Sequence, residues 1–363
     1  MEKKKRIAVL TGGGDCPGIN AVIRAVSKRA ILEFDMDVVG VEDGYEGIIQ
    51  NRYRKLTYED VSGILTLGGT ILGTSKTANP YMYPVKKGKR VDFQDLSRTA
   101  VDNIKKLNVA CLVCIGGDGT LGIASRLHEE GVPIVGIPKT IDNDIRGTDI
   151  TFGFDSAVTI ATEGIDRVHT TAQSHHRIMI VEVMGHKAGW IALHAGVAGG
   201  GDIVLIPEIP YHIERIAKTV KERRKKGKRF SIVVIAEGAR PEGEGVAVRR
   251  MVAESADPVR LGGMGFILGE QLEAATDLPT RTVVMGHLQR GGPPTAFDRV
   301  LATQLGVAAV DRIAERKFGH MVGVRGSCFV DVPLELVAKG PRVIPPGHRL
   351  LKAARAVGTY LGE

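Results

Sequence analysis

Seven short apolar runs, at residues 6–11, 37–42, 110–115, 134–138, 178–183, 231–237 and 282–287, limit what this chain can fold into more than any other feature. They are bounded by glycine-rich turns and followed by stretches of helical periodicity, with helices expected over 18–34, 120–130, 156–172, 186–198, 211–226 and 295–314. Strands apolar on both faces and alternating with helices belong to a parallel sheet covered on each side, so the fold class is α/β. A chain of 363 residues has room for two domains. No Pro/Ser-rich linker separates them, and the expectation is two interwoven doubly wound domains with largely parallel sheets. One comprises 1–153 with about 289–340, the other 154–288 with about 341–363. In such sheets ligands sit beyond the carboxyl ends of the strands.

The three richest turns fall at such ends: T11GGGDCPGIN20, G116GDGT120 and P138KTIDND144. Glycine lets backbone approach phosphate oxygens, and a helix starting directly after the turn offers unpaired N–H groups to an anion. Phosphoryl transfer also needs a divalent cation and a base, which the carboxylates Asp118, Asp142 and Asp144 can supply. Asp142 and Asp144 are two apart and would share one side of an extended segment. In the first turn, Pro17 or Gly18 would open a helix whose N–H groups face the strand end. Dinucleotide binding is disfavoured, because Pro17 occupies the third glycine position of GxGxxG; no GxxxxGK[ST] loop and no protein-kinase signature is present.

Composition excludes other classes. The net charge of +8 comes from dispersed Lys and Arg with no nucleic-acid-binding module, so nucleic acid is not an expected partner and anionic small substrates account for the charge. The basic run 221–229 reads as the solvated end of a helix. Cys16, Cys111, Cys114 and Cys328 are too few and too irregular for a disulfide framework; Cys111 and Cys114 lie in an apolar run and read as core thiols. The apolar run before the first glycines is too short for a signal peptide and nothing reaches transmembrane length, so a cytoplasmic protein with no membrane partner is expected. Residues 77–95, with Pro and basic residues, read as a surface excursion placed to close over a donor.

The motifs TGGGDCPGINAVIR, GGDGT, PKTIDND, FGFDSA, VEVMGHKAGW and GHLQRGGPPTAFDR resemble, in order and from about residue 6 to residue 310, those of the 6-phosphofructokinase family. The resemblance implies Mg²⁺-dependent transfer of a phosphoryl group to the 1-hydroxyl of fructose 6-phosphate in glycolysis, by a homotetramer or sometimes a dimer. The domain holding residues 1–153 would bind donor and metal, the other the sugar phosphate. By similarity Asp142 accepts the hydroxyl proton, Asp118 contacts Mg²⁺, and Thr140 and Asp144 frame the transferring group. Gly14, Lys76, Gly117, Asp118, Gly119 and Thr120 line the donor phosphates, with Lys76 where many members have Arg. Thr140, Ile141, Asp142, Met184, Gly185, His186, Glu237, His287 and Arg290 resemble the sugar-phosphate contacts, with His186 where many bacterial members have Arg. Arg177 and Arg281 resemble the arginines that reach a neighbouring subunit's site.

Two positions bear on the donor. Gly119 resembles ATP-using members, since pyrophosphate users usually carry Asp there, whose charge would exclude a nucleotide's α-phosphate; Lys139 resembles pyrophosphate users, where its ammonium binds the leaving phosphate. Exclusion outweighs compatibility, so ATP is favoured and pyrophosphate is the alternative. A different small-molecule kinase sharing only GGDGT is a remote third reading, because it would lack PKTIDND and GHLQRGG. Arg24, Lys28, Lys226, Lys228 and Asp202 match the bacterial effector pocket, but Tyr58 and His169 replace arginines, which weakens the case for the usual effectors.

Overall fold

The computed structural model describes residues 4–88, 90–243, 245–251 and 259–363. The strands are β1 (Arg6–Thr11), β2 (Asp37–Val41), β3 (Tyr53–Leu56), β4 (Tyr83–Lys87), β5 (Arg90–Gln94), β6 (Cys111–Gly116), β7 (Ile134–Pro138), β8 (Ile178–Val183), β9 (Ile203–Leu205), β10 (Ser231–Ala236), β11 (Val248–Met251), β12 (Val259–Leu261), β13 (Thr280–Val284), β14 (His320–Arg325) and β15 (Cys328–Pro333). A seven-stranded sheet runs β15-β14-β7-β6-β1-β2-β3, parallel through its centre, with antiparallel β15 and β3 at the edges. A four-stranded sheet, β13-β8-β10-β9, is parallel throughout.

Alternation along each strand decides which helices cover which face. Ile7 and Val9 of β1, with Val113 and Ile115 of β6, face one way; Ala8, Leu10, Leu112 and Cys114 face the other. The first set packs with α1 (Ile19–Phe34) and α9 (Ala296–Ala314); the second with α2 (Tyr45–Gln50), α3 (Ser97–Leu107) and α4 (Asp118–Glu129). In the second sheet Val181, Ile232 and Val234 join the first core, together with α5 (Phe154–His175) and α6 (Trp190–Ala198). Ile180, Val233 and Ile235 pack under α7 (Ile213–Lys225) and α8 (Met264–Thr276). Two short helices, α10 (Leu334–Val337) and α11 (Arg349–Ala356), complete the chain.

One apolar cluster therefore runs continuously between the sheets, and a buried polar knot ties them further. Asp298 of α9, fully buried, accepts the N–H and hydroxyl of Ser156 in α5 at 2.8 and 2.6 Å, while Thr295, the N-cap of α9, donates to Asp155 at 2.6 Å. Two helix N-termini thus share their caps. Burial pushes the Asp298 carboxyl up to about 6 despite these donors.

All six expected helices form, with ends displaced. The one expected at 186–198 starts only at Trp190, because residues 184–189 are needed as a loop, and the seventh strand ends at Val284 before a 3₁₀ turn over Gly286–Arg290. Residues 77–95 contain the hairpin β4/β5. Tyr83 donates to Glu46 at 2.6 Å and Tyr81 to Glu130 at 2.7 Å, which ties this excursion to α2 and the end of α4. Cys16, Cys111 and Cys114 are buried free thiols, and residues 224–229, the last two of α7 and the four after it, are exposed as expected of a solvated helix end.

Candidate active site

Loops leaving the carboxyl ends of strands from both sheets face one another across a cleft of about 650 Å³. From the first sheet come Gly13 and Gly14 after β1, Gly117 to Thr120 after β6, and Lys139, Thr140 and Asp142 after β7; from the second come Met184 and His186 after β8, Glu237 after β10, and His287 and Arg290 after β13. Lys76 completes the set.

The helix end at this cleft is that of α4, whose N-cap is Gly117 and whose first turn holds Asp118, Gly119 and Thr120. The helix after the first loop begins at Ile19, and the lining from that loop stops at Gly14, so the expected anion site at 17–18 lies elsewhere. Its glycines serve close approach: a Cβ on Gly14 would stand 2.1 Å from Nη1 of Arg290, which itself donates to the Asp15 carbonyl at 3.0 Å. A Cβ on Gly119 would meet nothing within 4 Å, so a side chain there would project into open cleft. Exposed Asp118 accepts the Gly119 N–H at 2.7 Å.

The 139–144 loop carries the electrostatics. Lys139 is buried and donates to the Gly14 carbonyl; burial first, then Arg290 and Lys76, lowers its ammonium to about 8. The Asp142 N–H donates to Thr140 Oγ1 at 3.1 Å, and Asp142 Oδ1 is sealed from solvent with no hydrogen-bond partner. Burial raises its pKa, with Asp118 adding to the rise and Arg290, His186 and Lys139 opposing it. Across the cleft, burial and Asp142 lift Glu237 to about 7, although it accepts the His186 N–H at 3.1 Å.

Some expected residues fall outside the lining. Asn143 adopts φ 52, which breaks the extended segment, and Asp144 is turned into the interior instead of sharing a side with Asp142. Burial, then Asp142 and Asp118, pushes its carboxyl well above the ordinary range. Ile141 packs in the core, and Gly185 shapes the loop at φ 146 without lining the cleft. Arg177 precedes β8 and Arg281 lies near the start of β13, at the opposite ends of those strands from the cleft. The lining also includes Glu182, which lies within the VEVMGHKAGW motif but was not among the expected site residues, and Val259, Leu261, Gly262 and Val284, which fall outside the motifs. Glu182 accepts from Gly263 and Gly265 N–H groups at 2.8–3.1 Å and so caps α8 beside Gly262; a carboxylate inside an apolar strand was the available signal. None of the described residues of 77–95 lines the cleft.

Among the described residues no group of three or more His, Cys, Asp or Glu side chains is gathered as a metal site. A hard cation that arrives on phosphate oxygens and keeps its waters needs only one or two carboxylates, and Asp118 at the mouth of α4 fits that demand. At the matched effector positions, Asp202 is paired with Arg223 at 2.5 Å, Lys28 lies 3.8 Å over the Tyr58 ring, and the His169 Nε2 is 2.8 Å from the Gly199 carbonyl.

The family model for phosphofructokinase matches residues 6–313. The ATP-dependent 6-phosphofructokinase 2 of Clostridium perfringens is 49% identical over 100% of both chains. The pyrophosphate–fructose 6-phosphate 1-phosphotransferase of Amycolatopsis methanolica is 48% identical over 94% of this chain and 96% of its own. Among solved structures, Pichia pastoris phosphofructokinase in the T-state superposes with a TM-score of 0.79 at 32% identity, over 93% of this chain and 36% of that one, so the chain spans about a third of the length of that relative.

Because Gly14 makes room for Arg290, Gly14→Ala is expected to leave folding intact but to displace the guanidinium and weaken binding of a phosphate-bearing ligand about tenfold, the loss of one charge-assisted contact. Isothermal titration checks this; wild-type affinity would show that Arg290 does not serve the cleft.

Proposed function

The chain belongs to the phosphofructokinase family, and from that premise we propose that it transfers the γ-phosphoryl group of ATP to the 1-hydroxyl of fructose 6-phosphate, with Asp142 as the base. The observation that carries the reading is the sealed, unpartnered Oδ1 of Asp142 at the meeting of the two sets of loops. A buried acceptor left without a donor is costly, so the half-buried carboxyl gains when it turns to meet the proton of a substrate hydroxyl in the cleft.

As the hydroxyl oxygen bonds to the γ-phosphorus and the bond to the β-phosphate oxygen breaks, the hydroxyl proton passes to Asp142. The α4 N-terminus, Lys76 and Lys139 face the phosphates and offset the charge that builds on them. Mg²⁺, held by Asp118 when bound, would neutralise the donor's phosphate charge. Thr140 keeps the Asp142 peptide in place through its hydroxyl. Asp144, buried behind the base, acts on the charge of the site and not on the transferring group directly. On the sugar side Glu237 accepts ring hydroxyls, while His186, His287 and Arg290 meet the 6-phosphate. The Met184 N–H is already given to Gln289 at 2.8 Å, so Met184 contributes its side chain and carbonyl.

Relatives of nearly equal similarity carry names with different donors, so overall identity does not choose between them. The open space at Gly119 favours ATP, since it leaves room for the α-phosphate of a nucleotide. Lys139, held against the Gly14 carbonyl, remains compatible with either donor.

We divide the chain into a donor and Mg²⁺ domain, 1–153 with about 289–340, and a fructose 6-phosphate domain, 154–288 with about 341–363. In support, β14 and β15 complete the first sheet, while Tyr360 bridges to Ile203 of the second. We also read the enzyme as a homotetramer. The edge strand β13 exposes Val283 and Val284, and α8 beside it exposes Phe266 and Ile267, a surface that needs cover. Arg281 lies on that same strand, and it and Arg177 would serve a neighbouring copy's site. A cytoplasmic setting follows from the glycolytic substrate; among the described residues no helix is long and apolar enough to cross a membrane.

Asp142→Ser is expected to lower kcat by about two to four orders of magnitude, the scale of general-base catalysis, with fructose 6-phosphate binding preserved in a titration; unchanged turnover removes Asp142 from the base role. Gly119→Asp should fold normally, since its side chain meets open space, yet lose ATP binding; retained nucleotide affinity contradicts the exclusion argument. Asp142 and Glu237 both keep their protons to higher pH than ordinary carboxyls, and Lys139 loses its charge sooner than an ordinary lysine. The kcat/KM profile should accordingly rise with pH through about 7 and fall through about 8. Glu237→Gln should move the rising limb to lower pH; a limb that stays in place dissociates Glu237 from it.

A further inference from the structure

Residues 340–348 form a strap beyond the span that the family model matches, and it touches both halves of the cleft from behind. Toward the first sheet, the Arg342 N–H donates to the Asp144 carbonyl at 2.6 Å, and its guanidinium Nη2 donates to the carbonyls of Asn143 and Asp149 at 2.8 and 3.0 Å. Arg146 Nε meets the Gly340 carbonyl at 2.9 Å. Toward the second sheet, the Arg342 carbonyl accepts the Trp190 indole N–H at 3.0 Å, and the guanidinium lies 4.3 Å over the same ring. The Ile344 N–H donates to Glu208 at 2.9 Å, and Glu208 also accepts the Gly189 N–H at 3.1 Å.

We propose that Arg342 is a positioning residue that fixes the Asp142 loop against the start of α6, so that the base and the sugar-phosphate loop are held as one unit. The inference rests on Asp142 being the base of the reaction proposed above. Residues 140–151 belong to no helix or strand, and the carbonyls of Thr140, Asn143 and Asp149 are met by side-chain donors. A planar guanidinium can bind two carbonyls and stack on an indole at once; an ammonium cannot do both. Trp190 opens α6 directly after the 184–189 loop that carries His186, and Asn143 and Asp144 directly follow Asp142. The strap thus joins the two sets of loops through Arg342 and Trp190 without entering the cleft.

The test compares the full-length wild type with Arg342→Ala and Arg342→Lys, measuring kcat and KM for both substrates, the unfolding midpoint, and the emission of Trp190, the only tryptophan in the chain. Loss of the clamp should lower kcat by about ten- to a hundredfold, as expected of a slightly misplaced reacting group, with KM little changed and Trp190 emission shifted. Added guanidinium should recover part of the kcat of Arg342→Ala. Wild-type kcat in both variants, or a loss that follows the unfolded fraction and resists guanidinium, overturns the proposal. Should Arg342→Ala not fold, Arg342→Lys is read alone: lowered kcat at constant KM supports the clamp and wild-type kcat refutes it. Absence of fructose 6-phosphate phosphorylation in the wild type sinks the activity reading and this inference with it, whereas normal wild-type turnover with indifferent variants sinks only the clamp.

Discussion

Asp142 is held where the protein offers one of its carboxylate oxygens no hydrogen-bond partner, and that placement depends on two parallel sheets turning their carboxyl ends toward each other. Burial is the largest influence on this carboxyl and favours its neutral form. Arg290, His186 and Lys139 pull the other way, though the net effect leaves the carboxyl holding its proton more tightly than a surface aspartate. Arg290 comes from the region after β13 and Lys139 from the loop after β7, so neither sheet alone sets the proton affinity of Asp142.

Lys139 shows what the cleft stores for a ligand. Lowering its ammonium from 10.5 to about 8 disfavours the charged form by about 3 kcal/mol in the empty protein. A charge-assisted hydrogen bond to phosphate contributes about 1.5–3 kcal/mol, so a single contact of that kind comes close to offsetting the burial. The consequence is an ammonium that stays mostly charged at neutral pH in the empty protein and holds its proton more tightly once an anion is bound. Arg290 and Lys76 add to the mutual repulsion of cations that an incoming polyphosphate relieves.

The strands β1, β2, β6, β7, β8 and β10 were legible in the sequence because burial writes a near-continuous apolar run, and because glycine-rich turns mark the strand ends. The edge strands β3 and β15 were not, since their exposed faces dilute the run, nor was β9, which is only three residues long; β14, interior to the first sheet, and the helices α3 and α8 were missed as well, α8 despite Gly262 and Gly263 directly before it. The cleft residues within motifs were legible for a related reason: catalysis and strand ends coincide in doubly wound sheets. Asp144 was misplaced because the two-residue alternation of an extended segment does not survive a left-handed residue, and nothing in the sequence forces Asn143 into that conformation. Glu182, Leu261 and Gly262 were missed because their contribution comes through tertiary contact, a carboxylate in one strand capping a helix that starts some eighty residues later.

The crossing of the chain between the sheets and the location of chemistry are one problem with one solution. The loop after β7 carries Lys139, Thr140 and Asp142, and the same segment then delivers the chain to α5 and the second sheet. A connection that must satisfy its own backbone while spanning two bodies is a poor place for a reactive group unless it is tied from outside. Here Arg342 ties the Asn143 and Asp149 carbonyls from outside, the shared helix caps at Asp298 hold the far end, and Thr151 to the Thr140 carbonyl and Asn143 to the Thr151 N–H brace the segment within. They restrain the crossover at several points along its length, so that relative movement of the two sheets would have to break buried hydrogen bonds before it could carry Asp142 away from the donor. A reaction that needs donor and acceptor aligned across two bodies therefore gains its alignment from the same polar contacts that make the two bodies one fold.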